Sequence, residues 1–163
     1  MSLDKLLGTR KPKTINEQQI DSLVDACVSM SKSKTGALIV IAGNSELDDQ
    51  VNTGEKLNSK ISSSLIRTIF FKNSPLHDGA IIIRGNRIAA AGCILPLTQK
   101  ELDQSLGLRH RAAVGITENT DAICIITSEE NGFISFSNKG EIKRRLSKER
   151  LSTLLEQNLR IQS

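Results

Sequence analysis

Apolar and polar residues alternate along the chain in blocks that predict helices and strands in mixed order. Near the start, Thr14 and Glu17 have the spacing of a capping box, and an apolar stripe at intervals of three and four residues continues to Val28. This pattern predicts an amphipathic helix that ends at Gly36. A continuous apolar run over 37–42 then predicts a strand buried on both faces.

The middle of the chain predicts a loop, a helix and a hairpin. The polar and acidic stretch 43–54 has the character of a loop, and the apolar stripe of 59–71 indicates a second helix. Residues 80–83 predict a strand, which a tight turn at Gly85-Asn86 joins to an antiparallel partner over 87–95.

The second half of the chain repeats this mixture. It predicts a short helix over 99–106, a helix over 111–118 and a buried strand over 122–127. A turn at Asn131-Gly132 then leads into a second hairpin strand over 133–137.

The chain closes on an amphipathic helix for which Ser147 is the predicted cap. Hairpins and crossover helices alternate in this order of elements. Such a mixture is typical of an α/β fold, here a single domain with a mixed, largely buried β-sheet flanked by helices. We expect residues 1–13 to form a basic leader and residues 14–160 to form the domain.

Length and composition favour one soluble domain. The chain has 163 residues, of which 38% are hydrophobic and 25% are charged, so disordered, collagen-like and membrane-spanning classes are excluded. The first residues carry no signal-peptide core, and we therefore expect a cytoplasmic protein. The three cysteines lie far apart without a CxxC spacing, which argues against a zinc site and fits a reducing compartment.

The net charge is modest, at +4, and the basic excess lies near the two ends. It is explained either by a solvated surface or by attraction to an anion such as a nucleotide, and the sequence leaves both open. The chain has no Trp or Tyr, and this argues against a nucleic-acid partner because single-strand binders stack bases on aromatic rings.

Three polar islands interrupt the apolar structure. In the first, 75–80, Asp78 stands at the mouth of a strand, where a carboxylate could hold a metal or accept a proton, and Gly79 lets a ligand approach the backbone. In the second, 107–111, two arginines and a histidine precede a helix, whose bare amides already favour anions. The third, 128–130, closes a buried strand with a hydroxyl and two carboxylates.

Each island also has a purely structural interpretation. Asp78 could cap a turn, the basic residues could form surface ion pairs, and Ser128 could serve the following turn. Taken together, however, Asp78 and Glu129 supply hard oxygen ligands, and Arg109 and Arg111 supply cations. That combination is what metal-assisted phosphoryl or nucleotidyl transfer requires.

Four motifs in this order resemble the diadenylate cyclase family, whose members make cyclic di-AMP from two ATP. They are LHDGA at 76–80, AGCILPL at 91–97, LGLRHRAA at 106–113 and TSEENG at 127–132. The resemblance covers residues 14–159 and is greatest to the cyclase domain of the membrane-anchored type, which transmembrane helices precede. The sequence holds no such helices, so the chain is either the cyclase portion of an anchored protein or a relative without an anchor.

The resemblance implies a mechanism. Two subunits face each other head to tail, each holding one ATP, and the 3′-hydroxyl of each nucleotide attacks the α-phosphate of the other with release of two pyrophosphates. It implies Mg²⁺ or Mn²⁺, with Asp78 and Glu129 as metal ligands and His77 as a further candidate ligand. Asp78 would also help to activate the 3′-hydroxyl.

The resemblance also implies residue roles. The implied catalytic residues are Asp78, Arg109, His110 and Arg111. The implied ATP-binding residues are Gly79, Ala80, Ile94, Leu95, Leu108, Arg109, His110, Arg111, Ser128 and Glu129. Two positions depart from the family's pattern: Leu108 stands where members often have Thr, and Ile94 stands where members often have Tyr. A phosphate-binding hydroxyl and an aromatic contact for the base are therefore missing.

The leading interpretation is an active diadenylate cyclase that works as a homodimer on two ATP. A catalytically silent module that binds a nucleotide or a cyclic dinucleotide is the second interpretation. A structural domain that binds a partner through the basic segment Lys143-Arg144-Arg145 is the third. We expect no nucleic-acid partner, and membrane contact only through an N-terminal anchor outside this sequence.

Overall fold

A computed structural model describes residues 14–162 of the chain, and the predicted leader 1–13 lies outside the described residues. The strands, in chain order, are β1 (Ala37–Ile41), β2 (Glu55–Lys60), β3 (Ala80–Arg84), β4 (Arg87–Cys93), β5 (Ile123–Thr127), β6 (Ile134–Asn138) and β7 (Glu141–Lys143). The helices are α1 (Glu17–Lys32), α2 (Asp48–Val51), α3 (Ser63–Phe70), α4 (Leu108–Asn119) and α5 (Lys148–Gln162).

The strands form one seven-stranded sheet in the order β2-β4-β3-β1-β5-β6-β7. The central strand β1 runs parallel to β3 and antiparallel to β5, and the remaining neighbours are antiparallel. Every residue of β1 is buried, as expected of a strand with covered faces on both sides. The predicted α/β fold, with a mixed and largely buried sheet flanked by helices, is therefore confirmed.

Two cores lie on opposite faces of the sheet, and alternate residues of the central strands supply them. Ile39 points to the core that α1, α3 and α5 cover, whereas Leu38 points to the core under α4 and α2. The first core is larger and includes Leu23, Ile66, Phe70, Phe136, Leu151 and Leu155. The second contains smaller side chains, among them Ala80, Ala112 and Ala113, so α4 can approach the sheet closely.

The strand directions bring four chain segments to one edge of the sheet. Because β1 and β3 are parallel, both begin at this edge, and their antiparallel partners β5 and β4 end there. The register places Ala37 opposite Thr127, and Ala80 opposite Cys93. The candidate residues before β3, after β4 and after β5 therefore meet at the same edge.

One predicted helix is shorter than expected, and another is wrong. Residues 59–71 contain the end of β2 and the shorter helix α3, and 99–106 form no helix. Strand β2 was missed because it is an outermost strand, paired only with β4. Its side chains are mostly solvent-exposed rather than alternately apolar. In the second segment, the Asp103 carboxylate accepts hydrogen bonds from Ser105 N and Oγ, which favours a turn over a helix.

Smaller differences concern element ends. The predicted loop 43–54 contains the single turn of α2, and the sequence pattern did not indicate the three-residue strand β7. Helix α4 begins at Leu108 instead of residue 111, so the basic cluster lies within its first turn. Ser147 caps α5 as predicted, since its Oγ accepts a hydrogen bond from Arg150 N at 3.1 Å.

The N-terminal capping box uses other residues than predicted. Asn16 Oδ1 accepts from Gln19 N at 2.9 Å, and Gln19 Oε1 accepts from Asn16 N at 2.9 Å. Helix α1 therefore begins two residues later than a cap at Thr14 would place it. Both pairs have the required three-residue spacing, and the exposed Thr14 lies before the helix.

We expect Asn16→Ala to lower the free energy of unfolding by about 1 kcal/mol, because the Gln19 N–H loses its acceptor. Thr14→Ala is the matched control and should leave the free energy of unfolding unchanged. Urea unfolding followed by circular dichroism measures both variants. A larger loss from Thr14→Ala than from Asn16→Ala would contradict the cap seen in the structure.

Candidate functional site

An open cavity of about 600 Å³ lies at the sheet edge where β1 and β3 begin and β4 and β5 end. All three polar islands contribute to it. The sequence-predicted residues that line it are His77, Asp78, Gly79, Ile94, Leu95, Leu108, Arg109, His110, Ser128 and Glu129. The fold thus brings together groups that are separated by up to about fifty residues in the chain, as the resemblance implied.

Two predicted site residues do not line the cavity. Ala80 is fully buried in the core beneath it. Arg111 lies in the first turn of α4, where its backbone N–H donates to Gly107 O and its carbonyl accepts from Thr98 N, both at 3.1 Å. The bond from Thr98 holds the segment after β4 against α4, so within one chain Arg111 supports the cavity without lining it.

Other lining residues were not named as site residues, although Gly107 and Glu130 belong to the polar islands. They are Leu38, Cys93, Leu97, Ser105, Gly107, Ala112, Thr127 and Glu130. Glu130 could have been found from its place beside Glu129, and the alternation of β1 could have placed Leu38. No sequence pattern indicated Ser105, because the turn around Asp103 is what brings this residue to the cavity. Cys93 is buried, and this burial raises the pKa of its thiol to about 11.

His77 and Asp78 form the acidic side of the cavity. His77 Nδ1 lies 2.8 Å from the carbonyl oxygen of Ser74, which can only accept, so Nδ1 carries a proton. In the neutral imidazole, Nε2 then holds the lone pair, and it lies 3.4 Å from Asp78 Oδ1. A backbone carbonyl that orients a histidine in this way is common around metal ligands. The pair presents the Nε2 nitrogen of His77 and the carboxylate of Asp78 to the cavity, and the Asp78 side chain is 90% exposed.

This donor set fits a divalent cation that also binds substrate. Among residues 14–162, no group of three or more His, Cys, Asp or Glu side chains is arranged to hold a metal ion alone. Mg²⁺ is usually held by one or two carboxylates together with substrate phosphates. Asp78 supplies one such carboxylate with the His77 nitrogen beside it, and Glu129, which pairs with Arg109, lines the same cavity.

Gly79 fixes the position of Asp78. Its φ angle is +87°, and a Cβ at this position would lie 2.6 Å from the carbonyl oxygen of Cys93. The obstacle is backbone, which cannot move aside as a flexible side chain can. A residue without a side chain is therefore required for the Asp78 loop to lie against the end of β4.

Arg109 supplies a cation whose hydrogen-bonding capacity is largely unused. Its side chain is 23% exposed, and Nη1 lies 3.6 Å from Glu129 Oε1, which is an ion-pair distance longer than a hydrogen bond. Its Nε is buried and has no hydrogen-bond partner among the described residues. The first turn of α4 also contains no acidic side chain. A guanidinium beside free helix amides is a favourable environment for phosphate.

His110 is held neutral beside Arg109. Its Nδ1 accepts a hydrogen bond from Gly107 N at 3.3 Å, so a neutral ring carries its proton on Nε2. Burial lowers the pKa of His110 below its ordinary value of 6.5, and the positive charges of Arg144 and Arg109 lower it further. The ring therefore caps α4 and can offer one N–H donor to the cavity.

The mouth of the cavity is apolar. Ile94 and Leu108 are 68% and 71% exposed, and Leu97 is exposed beside them. Ile94 N donates to Thr53 Oγ1 at 2.8 Å, so this backbone donor is already used within the chain. The two residues that depart from the family's pattern thus both line the cavity with exposed apolar side chains.

The basic segment near the C-terminus is engaged within the domain. Arg144 donates to Ser105 Oγ at 2.9 Å and lies 3.8 Å from Asp103 Oδ2. Arg145 lies over the ring of Phe133, 4.8 Å from its centroid. These contacts give two of the three basic residues an internal function, which weakens the interpretation that the segment binds a separate partner.

A known structure has the same architecture. The crystal structure of a double mutant of DacA from Staphylococcus aureus is 44% identical in sequence, with a TM-score of 0.86 over 88% of this chain and 96% of that chain. At this level of identity, the two chains are related in sequence as well as in fold.

Curated relatives are similarly close. A diadenylate cyclase from Listeria monocytogenes serotype 1/2a is 46% identical over 155 residues, which cover 93% of this chain and 57% of the relative. The cyclic di-AMP synthase CdaA of Bacillus subtilis is 45% identical over 141 residues, which cover 86% of this chain and 52% of the relative. The chain therefore spans little more than half the length of these relatives.

The domain is of the class that the sequence motifs indicated. The model of the DAC family, described as DisA bacterial checkpoint controller nucleotide-binding, matches residues 24–142. The chain belongs to this family, and the resemblance noted from its motifs is confirmed. No helix within residues 14–162 is long and apolar enough to cross a bilayer, and the predicted N-terminal anchor stays a prediction.

We expect His110 to make the stability of the domain depend on pH. Its pKa is lowered on folding, so the unfolded chain binds more protons below pH 6.5. The stability that the neutral ring contributes is fully present above that pH and is lost as the pH falls below it. His110→Gln removes the titration but keeps an acceptor for Gly107 N, as Gln19 does for Asn16 N in α1.

Urea unfolding at about pH 7.5 and about pH 5.5 measures the effect. The free energy of unfolding of the wild-type protein should fall more between these values than that of His110→Gln. Equal losses in the two proteins would show that the His110 ring is not held neutral by its surroundings.

Proposed function

We propose that the chain is the catalytic part of a diadenylate cyclase, which joins two ATP into cyclic di-AMP and releases two pyrophosphates. One observation carries the proposal. The His77–Asp78 pair, the Arg109 guanidinium at the N-terminus of α4 and the turn that holds Ser128 and Glu129 all line one cavity. Its volume of about 600 Å³ suits one nucleotide. The names of the relatives, diadenylate cyclase and cyclic di-AMP synthase, support the same reaction.

Each half of the reaction is an in-line displacement at phosphorus. The 3′-oxygen of one ATP forms a bond to the α-phosphorus of the other, and the bond from that phosphorus to the bridging oxygen of the β-phosphate breaks. Pyrophosphate leaves with the electron pair, and the 3′-hydroxyl loses its proton. Two such displacements close a ring with two 3′–5′ linkages.

Asp78 is positioned to take the proton. Its carboxylate is exposed at the mouth of the cavity, and Gly79 holds its loop against β4. A bound Mg²⁺ or Mn²⁺ would neutralise phosphate charge and lower the pKa of the 3′-hydroxyl, with Asp78, His77 and Glu129 as candidate ligands. A general base must lie within hydrogen-bond reach of the proton, and only a residue at the mouth can reach an incoming hydroxyl.

The phosphates occupy the basic side of the cavity. Arg109 and the first amides of α4 bind the phosphate oxygens, His110 donates from Nε2, and the Ser128 hydroxyl adds a neutral donor. Because each ATP carries several negative charges, these contacts reduce the repulsion between two nucleotides as they approach. The chain thus contributes mainly positioning and electrostatic stabilisation, as is usual in phosphoryl transfer.

The adenine base lies against aliphatic side chains. Ile94, Leu97 and Leu108 provide the apolar surface at the mouth, in the place of an aromatic ring. Burial of that surface by the base is favourable by the hydrophobic effect, although without the geometric preference of ring stacking. The Leu95 and Gly79 backbones approach the ribose and the base.

A homodimer completes the reaction. A cavity of this size holds one ATP, yet the product requires two, so a second chain must bring its nucleotide to the open mouth. Two identical substrates that react with each other are placed by a two-fold axis, which gives each chain the same role. The exposure of Asp78 and of the apolar mouth supports this arrangement, because both face away from the chain.

A silent nucleotide-binding module is the second candidate. It is favoured by Leu108 and Ile94, which remove a hydroxyl and an aromatic ring found in many members of the family. Incubation of the protein with ATP and Mn²⁺, followed by chromatography, separates the candidates. Formation of cyclic di-AMP supports the cyclase, whereas binding of ATP without any product supports the silent module.

We expect Asp78→Asn to lower the rate of cyclic di-AMP formation by about a hundredfold or more, because the amide cannot accept the proton. Asp49→Asn is the matched control, since it makes the same change of charge on an exposed residue of α2. Melting temperatures of both variants should stay close to that of the wild-type protein. Full activity of Asp78→Asn would remove Asp78 from the mechanism.

We also expect the rate of product formation to rise with the square of protein concentration while the dimer is sparsely populated, and to become linear at saturation. Excess Asp78→Asn protein, added to a fixed amount of wild-type protein at saturation, should lower the rate by forming mixed dimers. A strictly linear rate at all concentrations, with no inhibition by the variant, would contradict the shared reaction.

A further inference from the structure

Gly36, which lies directly before β1, is the residue on which the guanidinium of Arg109 rests. A Cβ built at Gly36 would lie 2.5 Å from Nη1 and 2.6 Å from Cζ of Arg109. The space that any other side chain would begin to fill is therefore already occupied by this guanidinium. Arg109 belongs to α4, so the contact joins the start of the central strand to the first turn of the helix.

The conformation of Gly36 does not itself require glycine. Its φ angle lies outside the left-handed region, in contrast to that of Gly79. An alanine could therefore adopt the same backbone without strain. What distinguishes the position is the close approach of Arg109, which indicates that the absence of a side chain at Gly36 has a function.

The backbone at Gly36 is fixed from the other side. Thr127 Oγ1 donates to Thr35 O at 2.7 Å, and Ala37 pairs with Thr127 in the antiparallel ladder of β1 and β5. Gly36 itself is buried between these anchors. If a methyl group were added there, the strand could not move, and the flexible end of Arg109 would have to.

We infer that Gly36 is a positioning residue for Arg109. By having no side chain, it lets the guanidinium lie against the strand, with Nε shielded from water and Nη1 at 3.6 Å from Glu129 Oε1. An arginine held in this way loses little side-chain freedom when it binds a phosphate. The consequence for ATP rests on the proposed function, whereas the position of the guanidinium does not.

Gly43 provides a matched control at the other end of β1. A Cβ at Gly43 would lie 2.6 Å from the Asp121 carboxylate, so an alanine there also displaces the charged end of a side chain. Gly43 does not line the cavity that holds the candidate site. Both substitutions displace the charged end of a side chain, but Gly43→Ala also disturbs the hydrogen bonds that Asp121 accepts from Asn44 N and Ser45 N, so it serves as a control for nucleotide affinity and for the Arg109 resonance rather than for stability.

The first measurement is the affinity for a non-reactive ATP analogue by calorimetry. Gly36→Ala should weaken binding about tenfold, the expected loss when one charge-assisted contact is disturbed. In turnover assays the change should appear in KM, with kcat altered less than about twofold. Gly43→Ala should bind the analogue within about twofold of the wild-type protein.

A double-mutant cycle separates positioning from a general structural effect. If Gly36 acts through Arg109, then Gly36→Ala should have no further effect on analogue affinity once Arg109 is replaced by alanine. A loss that persists at the same size in the Arg109→Ala background would overturn the inference. So would a melting temperature of Gly36→Ala that falls well below that of the wild-type protein.

A second measurement does not depend on nucleotide. The Nε–H of Arg109, assigned by its absence from the ¹⁵N spectrum of Arg109→Lys, should shift in Gly36→Ala and stay in place in Gly43→Ala. An unchanged Arg109 resonance in Gly36→Ala would also overturn the inference. If the wild-type protein binds no ATP analogue, the proposed function fails, and the resonance still decides whether Gly36 sets the position of Arg109.

Discussion

The structure depends on the two-sided pairing of β1, which is parallel to β3 and antiparallel to β5. This pairing decides that two strands begin and two strands end at one edge of the sheet. Polar loops lie at the ends of buried strands, so islands 75–80 and 128–130 meet the segment after β4 in a single place. The small residues of the core beneath α4 then allow the helix to approach that edge with its N-terminus.

The charge distribution at this end of the sheet is electrostatically unfavourable. A helix N-terminus disfavours cations, and yet the first turn of α4 carries Arg109 and Arg111 and no carboxylate. Burial lowers the pKa of His110 and so favours its neutral form, and the positive charges of Arg144 and Arg109 add to this effect. Such an arrangement is explained when an anion with several charges completes it, because the dipole, the guanidinium and the amides then act in the same direction.

The sequence predicted the features that depend on local pattern. The continuous apolar runs of β1 and β5, the cap at Ser147 and the three polar islands are all visible in a few consecutive residues. Strand β2 was missed because its polar side chains face solvent and its pairing with β4 is tertiary, and the turn at Asp103 was mistaken for a helix. The family motifs indicated the site, but the approach of Arg109 to Gly36 depends on a contact between residues far apart in the chain.

The raised pKa of the Cys93 thiol limits which kinds of inhibitor could be directed at this cavity. The Cys93 sulfur is near the ligand space, but its pKa of about 11 means that the reactive thiolate is scarce at neutral pH. Electrophilic compounds aimed at this thiol would therefore react slowly, and mild oxidants would spare it. Selective inhibitors are better sought among reversible molecules that exploit the aliphatic mouth formed by Ile94, Leu97 and Leu108.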